Sequence, residues 1–121
     1  MNEDELLAFV RDAVRSVWAL ELLILLQQDD AKAWRAAELV VALRANTRVV
    51  TESLATLGAA GLVRTEDADV YRYGPASEAL AETVRQIADL YTRKPMAMVK
   101  AVLSAPTDKI QTFADAFRFR K

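Results

Sequence analysis

The key to this sequence is the stretch Ser53-Leu54-Ala55-Thr56-Leu57-Gly58-Ala59-Ala60-Gly61-Leu62-Val63, where a helix gives way to a strand. Leu54 and Leu57 are three residues apart, so they lie on one face of a helix and can be buried together. Gly61 permits the positive φ that a chain needs to leave a helix. Leu62 returns to the core and Val63 starts a strand.

The residues around this stretch predict two helices before it and a β-hairpin after it. A helix is predicted from Thr47 to Ala59, preceded by a helix from Arg35 to Ala45, with Asn46 between them as a C-cap or turn residue. Trp34 is expected to pack at the entrance of the earlier helix, and a very short strand there is the alternative. Two alternating segments, Leu62-Val63-Arg64-Thr65 and Val70-Tyr71-Arg72-Tyr73, flank a polar turn at Glu66-Asp67-Ala68-Asp69 and predict the hairpin.

Helices are also predicted at both ends of the chain. Residues 3–15 form an amphipathic helix, and Ser16 caps a second helix from Val17 to about Gln28, unless the two run on as one. Ser77 caps a long helix that ends or kinks at Pro95, followed by a helix from Met96 to Ser104. A last helix is expected after Pro106; it starts at Thr107 or Asp108 and contains Ile110, Phe113, Ala114 and Phe117.

Residues 17–75 resemble the winged helix-turn-helix core of bacterial regulators of the MarR and ArsR type. Those regulators typically end their recognition helix in Leu-x-x-Leu-x-x-x-Gly-Leu-Val, and Leu54, Leu57, Gly61, Leu62 and Val63 match that pattern. The helix before the turn is matched by Ala36-Ala37-Glu38-Leu39 and by Leu43. The expected fold class is therefore mainly α with a small β-hairpin, a winged helix-turn-helix core with flanking N- and C-terminal helices. Another small helical domain with a hairpin is the alternative.

The resemblance implies a DNA-binding transcriptional regulator, a cytoplasmic homodimer that places the helix 47–59 in the major groove of double-stranded DNA. The N-terminal part of that helix would reach base edges and phosphates, and the hairpin would act as a wing. The candidate DNA-binding residues are Asn46, Thr47, Arg48, Thr51, Glu52, Arg64 and Arg72.

The charges of the same region oppose strong DNA binding. Residues 46–76 contain three basic and four acidic side chains; three of the acidic ones, Glu66, Asp67 and Asp69, surround the hairpin turn, and the fourth, Glu52, lies in the helix 47–59. Affinity for DNA depends largely on neutralising phosphates. The alternative function is therefore a winged-helix protein–protein interaction module with weak or no DNA binding, which uses its acidic wing to contact a transcription-related protein.

The composition argues against an enzyme. The 121 residues include no cysteine and no histidine, so thiolate nucleophiles, the commonest general base and metal sites of the Cys or His kind are excluded. No cofactor or metal is expected. A small-molecule effector could bind between the flanking helices and the core, but no set of residues identifies one.

The length predicts one domain, with an N-terminal helix at 1–16, the core at 17–75 and C-terminal helices at 76–121. The net charge of −1 is uneven: residues 1–92 hold nine basic and fifteen acidic groups, and residues 93–121 hold seven basic and two acidic groups. The basic end would add phosphate contacts if it faced the same side as the helix 47–59. A packing and solubility role is the alternative.

The flanking helices carry more apolar surface than a small core needs. Dimerisation is the expected use of that surface, and packing of the two ends on each other is the alternative. The strongest apolar run, Val17 to Leu26, is about half the length of a membrane helix. Because the start of the chain is also acidic, a cytoplasmic protein without membrane contact is expected. Glu21 interrupts the run and is expected to face solvent, with a buried ion pair or a ligand-sensing role as the alternative.

Overall fold

The computed structural model describes residues 1–104, which are mainly helical and include a small three-stranded antiparallel sheet. The expected helix after Pro106 and the basic residues from Lys109 onward lie outside the described residues. The elements in chain order are α1 (Glu3–Phe9), a π-helical segment (Val10–Val14), α2 (Val17–Gln28), β1 (Ala33–Arg35), α3 (Ala36–Leu43), α4 (Thr47–Ala59), β2 (Val63–Asp67), β3 (Val70–Tyr73), α5 (Glu78–Arg93) and α6 (Pro95–Leu103).

The first two predicted helices are separate. Helix α1 widens into the π-helical segment, which ends at Arg15 in the left-handed conformation with φ 73°. The Ser16 hydroxyl then accepts a hydrogen bond from the backbone N–H of Ala19 (3.0 Å), so it caps α2 as predicted. The left-handed residue ends the π-helical segment, and α2 starts as a separate helix after it.

Helix α4 has the predicted bounds, but the turn before it differs from the prediction. Helix α3 covers Ala36–Leu43 and ends at Arg44, whose φ of 54° is left-handed. Asn46 is therefore a residue of the turn, as one of the two predictions had it, and not the C-cap of α3; its side chain accepts a hydrogen bond from the backbone N–H of Val49 (2.9 Å) and caps the start of α4. Asparagine is suited to either end of a helix, and the left-handed Arg44 left it free for the second role.

The sheet contains the predicted hairpin and the third strand around Trp34 that was the alternative. Strand order is β1-β3-β2, and β3 pairs antiparallel with both neighbours. The turn is shorter than predicted, because Glu66 and Asp67 belong to β2, which carries a bulge between Thr65 and Asp67. Acidic residues are uncommon in strands and Asp favours turns, so the composition of 66–67 predicts turn, whereas the bulge accommodates both residues in β2.

The core joins the helices to one face of the sheet. Leu54, Leu57 and Leu62 are buried at the junction of α4 and β2, and Gly61 there has a φ of 76°. The sheet contributes Trp34 and Val63, with Tyr71 and Tyr73 partly buried against the same cluster. The fold thus fixes α4 by one face and leaves its other face outside.

The two ends of the described chain pack on each other. Helix α6 contacts the π-helical segment, α1 and α5, and its Met98 and Val102 are buried together with Leu6 and Val10. Packing within one chain, the alternative to dimerisation, therefore accounts for these four side chains. Leu103 is different, because it remains 72% exposed.

Candidate nucleic-acid interface

The candidate interface starts from the outer face of α4. Five side chains on this face are exposed, and four of them are polar: Thr47, Arg48, Thr51, Glu52 and Ala55. The opposite face is buried against the core through Val50, Ser53, Leu54 and Leu57. The 3.6-residue period of a helix produces this division, so four of the predicted contact residues do share one exposed surface.

Arg48 and Glu52 form an ion pair on this surface. The Nε of Arg48 donates to Oε1 of Glu52 at 3.0 Å, one helical turn away, and the two side chains are 82% and 66% exposed. The spacing i,i+4 is the one at which helical side chains meet. The carboxylate therefore offsets the charge of the arginine that was expected to contact DNA.

Asn46 and Thr47 differ in whether their side chains are already engaged within the chain: the Asn46 side chain is hydrogen-bonded, and Thr47 is exposed. The side-chain oxygen of Asn46 is engaged by the backbone N–H of Val49, so its first task is to cap α4. Thr47 is the first residue of the helix and is exposed. Hydroxyls and backbone N–H groups at a helix N-terminus are suited to phosphate oxygens.

The hairpin arginines lie on the outer face of the sheet. Arg64 and Arg72 are paired across β2 and β3, so both point away from the core side that holds Tyr71 and Tyr73. Arg64 is exposed and its side chain runs over Gly74, where an added Cβ would lie 2.6 Å from the arginine Nε. These two predicted residues are brought together, beside each other in the sheet.

Arg72 is already occupied by an acidic neighbour. Its Nε lies 2.7 Å from Oε1 of Glu66, so the two side chains form an ion pair. The Nε–H of Arg72 is not aligned with that oxygen and makes no hydrogen bond. The bulge places Glu66 within reach of Arg72. Within the described chain, Arg48 and Arg72 thus each carry a carboxylate partner.

Arg35 is a residue that the sequence reasoning missed. It is exposed and pairs with Val70, which shares the outer face of β3 with Arg72. Arg35 therefore joins Arg64 and Arg72 on one basic sheet face. Side chains alternate between the two faces of a strand, so a strand with Trp34 inside places Arg35 outside; three residues are too few to predict that strand from the sequence alone.

An open groove of about 890 Å³ runs beside α4, between that helix and the junction of the π-helical segment with α2. Trp18 lines it and is 42% exposed. The wall from α4 consists of Val49, Glu52, Ser53, Ala55, Thr56 and Ala59. The groove lies between a flanking segment and the core, and it shares Glu52 and Ala55 with the outer face of α4.

Glu21 has a partner, contrary to the expectation that it faces solvent. It is half-buried, and the hydroxyl of Tyr91 donates a hydrogen bond to its Oε1, which joins α2 to α5. This hydrogen bond raises the pKa of Tyr91 to about 12, with burial and the charge of Glu21 adding to the shift. The contact spans 70 positions of sequence, so no local pattern indicated it.

Two of the basic residues near Pro95 form ion pairs on the surface of the helices. Arg93 pairs with Asp89 at 2.8 Å, and Lys94 pairs with Glu3 of α1 at 2.9 Å. Lys100 is exposed on α6. Two of these three cations are thus paired with carboxylates of the chain itself.

Residues 1–104 include no group of three or more acidic side chains placed to hold a metal ion. In the same range, each helix is too short or too polar to cross a membrane. No protein-family model, no curated protein and no solved structure matches the chain.

Proposed function

We propose that this chain is a winged-helix DNA-binding transcriptional regulator. The order α2-β1-α3-α4-β2-β3, with β1 completing a three-stranded sheet, supports this proposal. In such an arrangement α3 and α4 are the helix-turn-helix pair and the β2–β3 hairpin is the wing.

The observation that carries the proposal is the outer face of α4. A helix of 13 residues presents Thr47, Arg48 and Thr51 on its exposed side near its N-terminus, while its other side is fixed in the core. This is the geometry that a recognition helix needs, because its first turns must reach base edges while the rest stays anchored. The basic sheet face of Arg35, Arg64 and Arg72 would add contacts to phosphate oxygens.

The regulator is proposed to act as a cytoplasmic homodimer. Two copies related by a twofold axis would place two α4 helices on successive turns of the major groove, about 34 Å apart. The operator would then be a pseudo-palindrome with half-sites about 10 base pairs apart, centre to centre. Sedimentation equilibrium tests the dimer directly, and a chain that remains monomeric at high concentration contradicts it.

Binding to fragmented genomic DNA from the source organism, at low and moderate salt, tests the proposal. Selective enrichment of a few fragments is expected, with an affinity that falls as salt rises because phosphate contacts release counterions. Arg48→Ala should cost about 1–3 kcal/mol of binding free energy. The matched control is Arg85→Ala, which removes another exposed, ion-paired arginine, from α5 and not from α4. Equal losses in both variants, or no enrichment by a folded protein, contradict the proposal.

The second candidate is a protein-binding winged helix. The pairing of Arg48 with Glu52 and of Arg72 with Glu66 favours it, since both predicted DNA contacts are partly neutralised within the chain. The exposed acidic tip, with Asp67 and Asp69, would then face a basic partner surface. If the protein-binding hypothesis holds, reversing the charge of these two residues should abolish partner binding. If the DNA-binding hypothesis holds, the same reversal should strengthen binding to DNA.

A further inference from the structure

The Arg48–Glu52 pair has a geometry that bears on base recognition. The carboxylate holds the guanidinium through its Nε, at 3.0 Å, and leaves both Nη groups outside that contact. The two Nη groups are the pair of donors that Arg uses in a bidentate contact to O6 and N7 of guanine. The contact with Glu52 thus occupies the one donor that such recognition does not need.

We propose that Glu52 is a positioning residue that orients Arg48 to read a guanine in the major groove. The proposal rests on the proposed DNA-binding function, and it names the base that the site requires. It also gives a reason for an acidic residue on a helix that faces phosphates. A long arginine that is held before binding loses less rotamer freedom on contact than an unrestrained one.

The neighbours of the pair leave space for this contact. Thr51 and Ala55 are small and exposed on the same face of α4, so neither of these two side chains is large enough to block the guanidinium from a base edge. The backbone carbonyl of Glu52 accepts a hydrogen bond from the hydroxyl of Thr56 at 3.1 Å, and Thr56 lines the groove beside α4. Removing the Glu52 side chain therefore leaves the backbone contact of this turn intact.

The alternatives make different predictions about which base pair responds. A Glu52 carboxylate that reads DNA directly would accept from N4 of a cytosine, in a neighbouring base pair or in the pair that Arg48 reads. In either case its removal would add to the loss of selectivity that Arg48→Ala causes. A carboxylate that only repels phosphates would weaken binding to all sequences equally.

The test measures binding to a selected operator and to its single base-pair variants, for wild type, Arg48→Ala, Glu52→Ala and Glu52→Gln. We expect Arg48→Ala and Glu52→Ala to lose preference for the same G·C pair, by about tenfold or more for Arg48→Ala. Glu52→Gln should retain part of the preference, because its amide oxygen still accepts from Nε. The double variant Arg48→Ala/Glu52→Ala should be no less selective than Arg48→Ala alone.

Three outcomes overturn the proposal. Loss of preference at a different base pair in Glu52→Ala, or a double variant less selective than Arg48→Ala alone, makes Glu52 a direct reader. Tighter binding to all sequences, with base preferences unchanged, makes it only a repulsive charge. Glu52→Ala with wild-type affinity and wild-type preferences leaves it no role in recognition. Each of these requires a wild-type protein that selects an operator; a wild type that selects none contradicts the proposed function itself. Thermal unfolding of each variant confirms that it is folded.

Discussion

Gly61 is the residue at which backbone conformation controls the connection between α4 and the sheet. Its φ is 76°, and an added Cβ would lie 3.3 Å from the Cβ of Ala76 and 3.6 Å from Cδ1 of Leu80. A left-handed conformation costs a residue with a side chain about 1–2 kcal/mol. The tight contact adds to that cost, so the position requires glycine.

Gly61→Ala should therefore lower the free energy of unfolding by about 1–2 kcal/mol or more, measured by urea denaturation. The matched control is Gly58→Ala, because Gly58 lies in α4 with open space around its Cα. That substitution should stabilise the protein by up to about 1 kcal/mol, since alanine favours a helix over glycine. Equal effects of the two substitutions would contradict the role assigned to Gly61.

The hydrogen bond from Tyr91 to Glu21 makes stability depend on alkaline pH. The folded state raises the pKa of Tyr91 to about 12, above its ordinary value near 10, because the protonated hydroxyl is needed to donate to the carboxylate. The stabilisation is then complete below pH 10 and is lost as the pH rises from about 10 to 12.

Tyr91→Phe should destabilise the protein by about 1 kcal/mol at neutral pH, a typical value for one lost hydrogen bond. The difference between wild type and variant should shrink above pH 10, and comparison of the two proteins removes the effect of other titrating groups. The measurement is urea denaturation at a series of pH values. If the stability difference between wild type and Tyr91→Phe stayed unchanged up to pH 12, the hydrogen bond from Tyr91 to Glu21 would not be the source of the stabilisation.

At the scale of elements, α4 depends on its cap. Asn46 was predicted both as a turn residue and as a DNA contact, and the structure gives its side-chain oxygen to the backbone N–H of Val49. Asn46→Ala should cost about 1 kcal/mol of stability through the lost cap.

Asn46→Asp separates the capping role from a DNA contact. Aspartate caps as well as asparagine and suits the positive end of the helix dipole, so stability should be kept. DNA affinity should fall, because a negative charge would then face phosphate oxygens. If Asn46→Asp destabilised the protein as much as Asn46→Ala does, the cap would not be what Asn46 contributes.

The elements that the sequence predicted well are those with strong periodicity and clear boundaries. Helix α4 was placed correctly because Val50, Leu54 and Leu57 repeat at helical spacing and Gly61 marks the exit. Strand β1 was only an alternative, because three residues are too few for alternation to be read with force. The left-handed Arg44 has no sequence signal, since glycine and asparagine are the residues expected in that conformation.

The sequence predicts which of the candidate residues are exposed on α4 better than it predicts the contacts between their side chains. The exposed face of α4 follows from helical periodicity, and the i,i+4 spacing of Arg48 and Glu52 was legible in the sequence. The pairing of Arg72 with Glu66 depends on a bulge, and the basic face with Arg35 depends on a third strand. Both features arise from pairing between distant segments, which local patterns do not specify.

At the scale of the whole molecule, the described N- and C-terminal elements form one packed unit with the core. Lys94 reaches Glu3 across 91 positions of sequence, and the buried Met98 packs near the π-helical segment and α1. A single cooperative unfolding transition is expected, because the flanking helices share their apolar surface with the rest of the domain.

Met98→Ala and Leu103→Ala, both on α6, test this integration. Met98 is fully buried, so its truncation should remove about 2–5 kcal/mol of unfolding free energy and shift the whole transition. Leu103 is 72% exposed, and its truncation should change the free energy of unfolding by less than about 0.5 kcal/mol. Urea denaturation followed by both tryptophan fluorescence and circular dichroism measures the two variants. Two separate transitions in Met98→Ala would show that the flanking helices unfold independently of the rest of the domain. Leu103→Ala would in contrast weaken self-association if the exposed side of α6 contributes to the proposed dimer, a loss that sedimentation detects without any change in fold stability.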